Sequence, residues 1–478
     1  MKGETTTEHD FDFVILGQGS AAFAAAIKAD ELGMKTAMVG GKATPGAVIG
    51  GTCVNVGCMP SKRLITVGTL FYNGAHNSFE GIRYGKGRMN FKRIIQEKDA
   101  LVSKFRKEKY ADVLKNLKNV TYYPSRARFA SRNDIKVGKA TLRAEKSLIA
   151  TGARANVPKI SGIEDIDYLT NEEALSLKEL PRSLCVIGGR ALGLEFAQMF
   201  AQLGTKVTIL QRSDRILPED EPEVSEGLAR YLEDAGVRIM TKVKIERIDM
   251  RGKAKTINIT SDGVPEQIVC DQLLLATGRR PNTDYLNLED AGVKTDGAGF
   301  VVVDNQMRTS APNIWAAGDV TGEPMLETIA AKEGSAAVHN AFNSNKRMIN
   351  FTEVPSAVFT YPEVARVGLT EAEANNKGIK CSCGILPFEL VPKAHVIGDT
   401  RGLVKLVASH QNKQILGVHI VAPHAADMIH EGVLAVKNGL TIDDIIDTVH
   451  VFPTLSESIK LAAQSFYMDV RKMSCCVE

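Results

Sequence analysis

A strand–glycine turn–helix unit that occurs twice constrains this chain more than any other feature. The apolar run Phe13-Val14-Ile15-Leu16 reads as a buried strand. It meets Gly17-Gln18-Gly19-Ser20-Ala21-Ala22 and continues as an Ala-rich helix to about Leu32, with Lys35 to Val39 as the next strand. The pattern returns some 170 positions later. There Ser183 to Ile187 runs into Gly188-Gly189-Arg190-Ala191-Leu192-Gly193, a helix to Leu203, and a strand from Lys206 to Leu210. The first glycine of such a turn makes the tight bend, and the second lets backbone approach a pyrophosphate at the positive end of a helix. Two units this far apart predict two nucleotide sites. At the first, Gly17, Gly19 and Ala22 carry the fingerprint, but the usual ribose-binding acid is missing: its place falls near Gly40, and no Asp or Glu lies between Gly33 and Thr52.

A length of 478 residues suggests about three domains. After about Asn350 the texture changes. Gly402–Ser409 and Gln414–Ala422 read as a hairpin, followed by a helix over Ala425–Lys437, which predicts a separate α+β domain. Phe91 to Leu117 reads as an amphipathic helix, and its basic run from Lys104 to Lys109 as a solvated face. A net charge of +3 on 59 basic and 56 acidic residues gives no electrostatic case for nucleic acid or an anionic membrane. The polar start is unlike a signal peptide, and no apolar run approaches the ~18 residues of a membrane span, so a cytoplasmic protein is expected.

The sharpest motif is Gly50-Gly51-Thr52-Cys53-Val54-Asn55-Val56-Gly57-Cys58-Met59-Pro60-Ser61-Lys62. Two thiols five positions apart at a helix start can close a ring or hold a soft metal; the bland alternative is a pair of buried cysteines. A helix N-terminus favours thiolate, so one thiol is expected to be reactive at neutral pH. Of the other cysteines among the eight, Cys185 and Cys270 read as core, and Cys381-x-Cys383 as surface or core with a minor metal site as the alternative. Cys475 and Cys476 stand at the extreme end. Their adjacent Cα atoms, ~3.8 Å apart, are too close for an unstrained disulfide, but as thiolates they can capture a soft cation.

Together with the first glycine turn, the Cys53–Cys58 stretch resembles the flavin disulfide reductases. Ala150-Thr151-Gly152, Ala276-Thr277-Gly278 and Ala316-Ala317-Gly318-Asp319-Val320 extend the likeness through most of the chain. The resemblance implies an α/β protein with two Rossmann-like dinucleotide-binding domains and a C-terminal α+β dimerisation domain. The expected division is FAD domain 1–157, NADPH domain 158–279, FAD domain again 280–349, and dimerisation domain with tail 350–478. It implies FAD on the first unit near Gly51, Thr52, Gly152 and Val320, with Cys58 against the flavin and Cys53 as the exchanging thiol. Lys62 would lie by the flavin and pair with Glu195, Asp319 would hold the flavin chain, and Ala127 would contact the adenine. The second turn, with Gly188, Gly193 and Gly278, would take the nicotinamide cofactor. Gln211-Arg212 replaces the acid that accepts from a ribose diol, so Arg212 favours NADPH over NADH. Arg190 replaces the turn's central glycine and would crowd the pyrophosphate.

Members acting on organic disulfides carry a His-Pro-Thr near the C-terminus. Here Phe452 precedes Pro453-Thr454, although Glu457 remains, and His450 is a candidate substitute two residues away. The Cys475-Cys476 tail is similar to that of the mercuric reductase branch. That likeness implies a homodimer in which the tail pair passes Hg(II), the substrate, to Cys53 and Cys58 for two-electron reduction. Tyrosines that this branch often carries are replaced by Ala191 and Phe452. The alternatives are dihydrolipoamide dehydrogenase or another disulfide reductase, and a non-catalytic flavoprotein that buffers soft ions.

Overall fold

The computed structural model describes residues 10–41, 48–82 and 87–473. The chain forms two compact units: Met1–Pro60, Gln96–Asn156 and Gly278–Phe351 in the first, and Ser61–Ile95, Val157–Thr277 and Thr352–Glu478 in the second.

The first unit is built on a parallel sheet ordered Val120–Tyr123, Thr36–Val39, Phe11–Leu16, Ala140–Ile149 and Ile314–Ala316. The inner segments of its central strands are apolar on both faces, as buried parallel strands must be: Phe13, Val14, Ile15, Met38, Leu148 and Ile149 are fully buried. Asp134–Val137 and Ala127–Phe129 extend it in antiparallel fashion. Helix Ser20–Glu31 starts after Gly19 and buries an alanine face of Ala21, Ala22, Ala25, Ala26 and Ala29. Those small residues let helix Glu327–Phe342 approach so closely that a Cβ on Gly334 would stand 2.1 Å from the Ala21 carbonyl oxygen.

The second unit repeats the parallel motif in the order Arg238–Met240, Lys206–Leu210, Ser183–Ile187 and Gln272–Leu275. An antiparallel sheet of Val243–Arg251, Ala254–Ser261 and Val264–Cys270 stands beside it. The α+β part has a five-stranded antiparallel sheet whose middle strands, Ile415–Ala422 and Leu403–Ser409, form the expected hairpin; helix Ala425–Asn438 follows. Buried Lys405 ties these parts together, donating to Glu221 at 2.9 Å, Glu223 at 3.0 Å and Glu371 at 2.9 Å. Burial opposes its charge, and the three carboxylates outweigh that penalty and hold the ammonium above its usual range.

The helix expected from Phe91 to Leu117 is interrupted. Phe91–Arg106 passes through a π-helical turn, Lys107–Ala111, into Asp112–Asn116. Cys185 and Cys270 are buried, as expected of core residues.

Candidate active site

In the first unit, the glycine turn and the cysteine segment meet backbone to backbone. Gly17 has φ +151°, and a Cβ there would lie 2.1 Å from the Ala150 carbonyl oxygen. Gly51, at φ +67°, packs against Gly19, leaving 2.6 Å between a Cβ on Gly51 and the Gly19 Cα. Only glycine permits this double approach, which brings the starts of helices Ser20–Glu31 and Gly51–Val56 close together. These positions fit a dinucleotide such as FAD. The missing ribose acid is explained locally. The Gly40 N–H donates to Tyr123 O at 3.0 Å, and the Tyr122 hydroxyl lies 2.7 Å from Gly40 O and 2.8 Å from Gln18 Oε1, its single proton serving one of them at a time. A side chain on Gly40 would meet Gln18 at 2.5 Å.

Cys53 lies in helix Gly51–Val56, and Cys58 is the first residue of helix Cys58–Ala75. Neither is in a disulfide; Cys58 is exposed and Cys53 partly covered. A hydrogen bond with Cys58, burial, and the charge of Glu327 push the Cys53 thiol up. The expectation of one reactive thiolate in the pair did not specify which sulfur, and burial with the facing Cys58 works against it at Cys53. Asn55 between the two cysteines escaped the sequence reading. Its Nδ2 donates to Ile49 O at 3.1 Å and Gly51 O at 2.7 Å, while its Oδ1 accepts from Arg106 Nε at 2.7 Å. Its one signal was a polar amide between Val54 and Val56.

Asp319 begins a short 3-10 turn after Gly318, which has φ +79°. Burial raises its carboxyl, and the Arg279 guanidinium opposes the rise. The buried Arg279 Nε stands 3.5 Å from Asp319 Oδ2 without a hydrogen-bond partner. Such an orphaned donor beside a carboxylate suits a polar ligand group. Val320 and Ala127 are buried in the same unit. Gly152 and Gly278, at φ +68° and +88°, bound strands Ala153–Ala155 and Arg279–Pro281, which pair.

Sequence analysis also missed Glu333. Its Oε2 accepts from the Gly318 N–H at 2.6 Å, and burial pushes its carboxyl up to about 7. The native state therefore keeps this proton between about pH 4.5 and 7, where the unfolded chain loses it. Stability must fall as pH rises through that window, by up to ~3 kcal/mol from this group. Glu333→Gln is expected to flatten the fall, since it keeps the acceptor without the charge. Urea unfolding of both proteins from pH 4.5 to 8 checks this; parallel curves would contradict it.

In the second unit, Lys62 Nζ donates to Glu195 Oε2 at 2.7 Å. Buried Glu195 also accepts from the Phe359 N–H through Oε1 at 3.0 Å, and Lys62 Nζ lies 4.6 Å from the centre of the Phe359 ring. The expected pair is therefore present, held by a strand-end backbone that sequence did not disclose.

The second glycine turn is similarly compact. Gly188, at φ +117°, leaves 2.2 Å between a Cβ and Ala276 O, and a Cβ on Gly193 would lie 2.0 Å from Gly188 O. The Gly189 N–H donates to Gln211 Oε1 at 2.8 Å, so the residue replacing the usual acid braces the turn itself. Arg212 is exposed. The Arg190 side chain pairs with Glu219, which bears on the expectation that it crowds the pyrophosphate: it has a partner of its own. Gly193→Ala is expected to cost about 2–4 kcal/mol, because backbone must move. Gly227→Ala, in helix Pro222–Asp234 with nothing nearer than 3.8 Å, should be neutral or slightly stabilising. Urea unfolding of the two variants gives the comparison; equal effects would contradict it.

His450 pairs with a carboxylate. Its Nε2 lies 2.8 Å from Glu431 Oε1 and its Nδ1 2.9 Å from Thr448 O, and the Glu431 carboxylate raises its pKa. Phe452 is half exposed, and burial raises the Glu457 carboxyl. Cys475 and Cys476 lie outside the described residues.

Two nucleotide-binding folds, a paired dithiol at a helix start and an antiparallel α+β domain define a two-nucleotide redox enzyme. Residues 11–334 match the pyridine nucleotide-disulphide oxidoreductase family, and residues 354–463 match its dimerisation domain. The chain belongs to that family and is a flavin-dependent oxidoreductase. It is 41% identical over 469 residues to a mercuric reductase of Lysinibacillus sphaericus, covering 98% of this chain and 85% of that one. A mercuric reductase of Streptomyces lividans is 40% identical over 472 residues, with 98% of each chain covered. Among solved structures, the HOCl-induced flavoprotein disulfide reductase RclA of Escherichia coli is similar, with TM-score 0.83 and 31% identity over 94% of this chain and 98% of that one. No described helix is long and apolar enough to cross a membrane.

Proposed function

We propose that the protein reduces Hg(II) to Hg(0) at the expense of NADPH, as a homodimer serving mercury detoxification in the cytoplasm. The observation that carries this reading is the Cys53–Cys58 dithiol in a chain about 40% identical to proteins named mercuric reductase. The proposed division keeps FAD with 1–157 and 280–349, NADPH with 158–279, and dimerisation with 350–478.

Bound FAD would supply the two-electron relay between the nicotinamide and the dithiol. Gly17, Gly19, Ala22, Gly51, Thr52, Ala127, Gly152, Asp319 and Val320 would hold it, with Lys62 and Glu195 adding a fixed charge pair. Gly188, Gly193, Gly278 and Arg212 would hold NADPH; neither Gln211 nor Arg212 opposes a 2′-phosphate with negative charge. Cys475 and Cys476 would receive Hg(II) from small thiols and exchange it stepwise to Cys53 and Cys58. Each exchange breaks one Hg–S bond as another forms, so the ion is never released. In the net reaction NADPH gives up two electrons and a proton, and Hg(II) takes the two electrons as Hg(0).

A reductase of organic disulfides needs an acid–base group where Phe452 stands. The same fold with lipoamide or glutathione disulfide as substrate is therefore the outcome to test against. NADPH oxidation is measured with Hg(II) in excess thiol, with lipoamide, and with glutathione disulfide. Oxidation dependent on Hg(II) is expected; oxidation driven by lipoamide and indifferent to Hg(II) would overturn the proposal. Cys475→Ala with Cys476→Ala should impair turnover of thiol-bound Hg(II) yet leave FAD bound and reducible.

A further inference from the structure

Strand Cys381–Pro387 is the outer strand of the antiparallel sheet and pairs with Leu403–Ser409 alone. Alternation along it separates three neighbours onto two faces. The Ser382 hydroxyl turns to His410 Nδ1 at 3.1 Å. Cys381 and Cys383 turn the other way, within hydrogen-bonding reach of each other, and Cys383 reaches the Glu371 carboxylate. Cys381 Sγ also lies 3.8 Å from Asn375 Oδ1. Neither thiol is closed off, since both side chains are only partly covered. Glu371 is itself fixed, with Lys405 Nζ at 2.9 Å from its Oε2 and its backbone N–H donating to Glu221 Oε1 at 2.6 Å. Two sulfurs and a carboxylate are thus presented on a rigid sheet edge, apart in sequence from both other thiol pairs.

We propose that Cys381 and Cys383 form a further binding site for a soft, two-coordinate cation, of which Hg(II) is the test case. Among the described residues no group of three or more His, Cys, Asp or Glu side chains is arranged around a metal position, so a tetrahedral ion such as Zn(II) lacks a cage here. A linear thiophilic cation needs only the two sulfurs. On binding, two S–H bonds break, two metal–sulfur bonds form, and two protons leave to solvent, with no change of oxidation state. Glu371 is placed to accept the Cys383 proton on its way out. Burial and the Glu371 charge push the Cys383 thiol up to about 12, so the pair holds its protons until a cation displaces them.

The test uses the FAD-loaded enzyme without NADPH, so that reduction plays no part and the site is read independently of the proposed reaction. HgCl2 is added in molar excess, the protein is desalted, and retained mercury is counted. The wild type is expected to keep one mercury per chain more than Cys381→Ser/Cys383→Ser, and either single substitution should lose it as fully as the double. Equal retention would overturn the site. Should the variants fail to hold FAD, alkylation of the wild type decides. Hg(II) is expected to protect both Cys381 and Cys383 from iodoacetamide, and unprotected alkylation of the two would equally overturn the site.

Discussion

Cys58→Ser is expected to abolish Hg(II)-dependent NADPH oxidation, with a fall of roughly 10³-fold or more, the scale on which enzymes lose an essential nucleophile. Cys53→Ser should do the same, and the double variant should be no worse than either single one. The reasoning is geometric. The two sulfurs share a hydrogen bond at one turn, Cys53 on a helix of six residues and Cys58 opening the next. Both are needed to hold a two-coordinate ion, so removing one removes the site and the second loss costs nothing further. Reduction of bound FAD by NADPH should persist in all three variants. Steady-state rates together with anaerobic flavin bleaching measure this, and substantial turnover in either single variant would contradict it.

Lys62→Met is expected to have the second large effect, this time on stability. Glu195 is 5% exposed and has two partners, Lys62 Nζ and the Phe359 N–H. Removing the lysine strands a buried carboxylate with a single donor, which costs about 2–4 kcal/mol, discounted from a fully buried pair because Lys62 keeps some solvent contact. Removing both charges, in Lys62→Met with Glu195→Met, should recover much of that loss, since desolvation is then no longer unbalanced. Urea unfolding of Lys62→Met, Glu195→Met and the double variant gives the cycle. Losses that simply add would show that the pair is not coupled. If the pair also lies by the flavin as proposed, NADPH should reduce FAD roughly 10²-fold more slowly in Lys62→Met, the scale of losing one fixed electrostatic contact.

Much of this arrangement was legible in the sequence because it rests on local periodicity and on backbone that only glycine allows. The Phe11–Leu16 and Ser183–Ile187 strands are mostly apolar, and each runs into a turn whose first glycine stands where a Cβ would come about 2 Å from a carbonyl oxygen. The hairpin of the α+β domain was visible for the same reason. What stayed hidden depends on residues far apart in sequence. Glu333 matters because it meets Gly318, and Gln211 because it meets Gly189, and neither has a distinguishing neighbour sequence. Sequence could not say which of the two sulfurs would be the thiolate, because helix position is local, whereas the burial and the facing sulfur that oppose it at Cys53 are not. Likewise, sequence showed that His450 is two residues from Phe452 but not that Glu431 engages its ring.

The most direct test of the central claim is a stoichiometry. The purified FAD-loaded enzyme is given limiting NADPH and thiol-bound Hg(II) in an anaerobic, gas-swept vessel, and the mercury vapour is trapped and weighed against the NADPH consumed. One Hg(0) released for each NADPH oxidised is the predicted result. Absence of mercury vapour, with NADPH oxidation beginning only when lipoamide disulfide is added and yielding the dithiol, would contradict the account and identify a disulfide reductase instead.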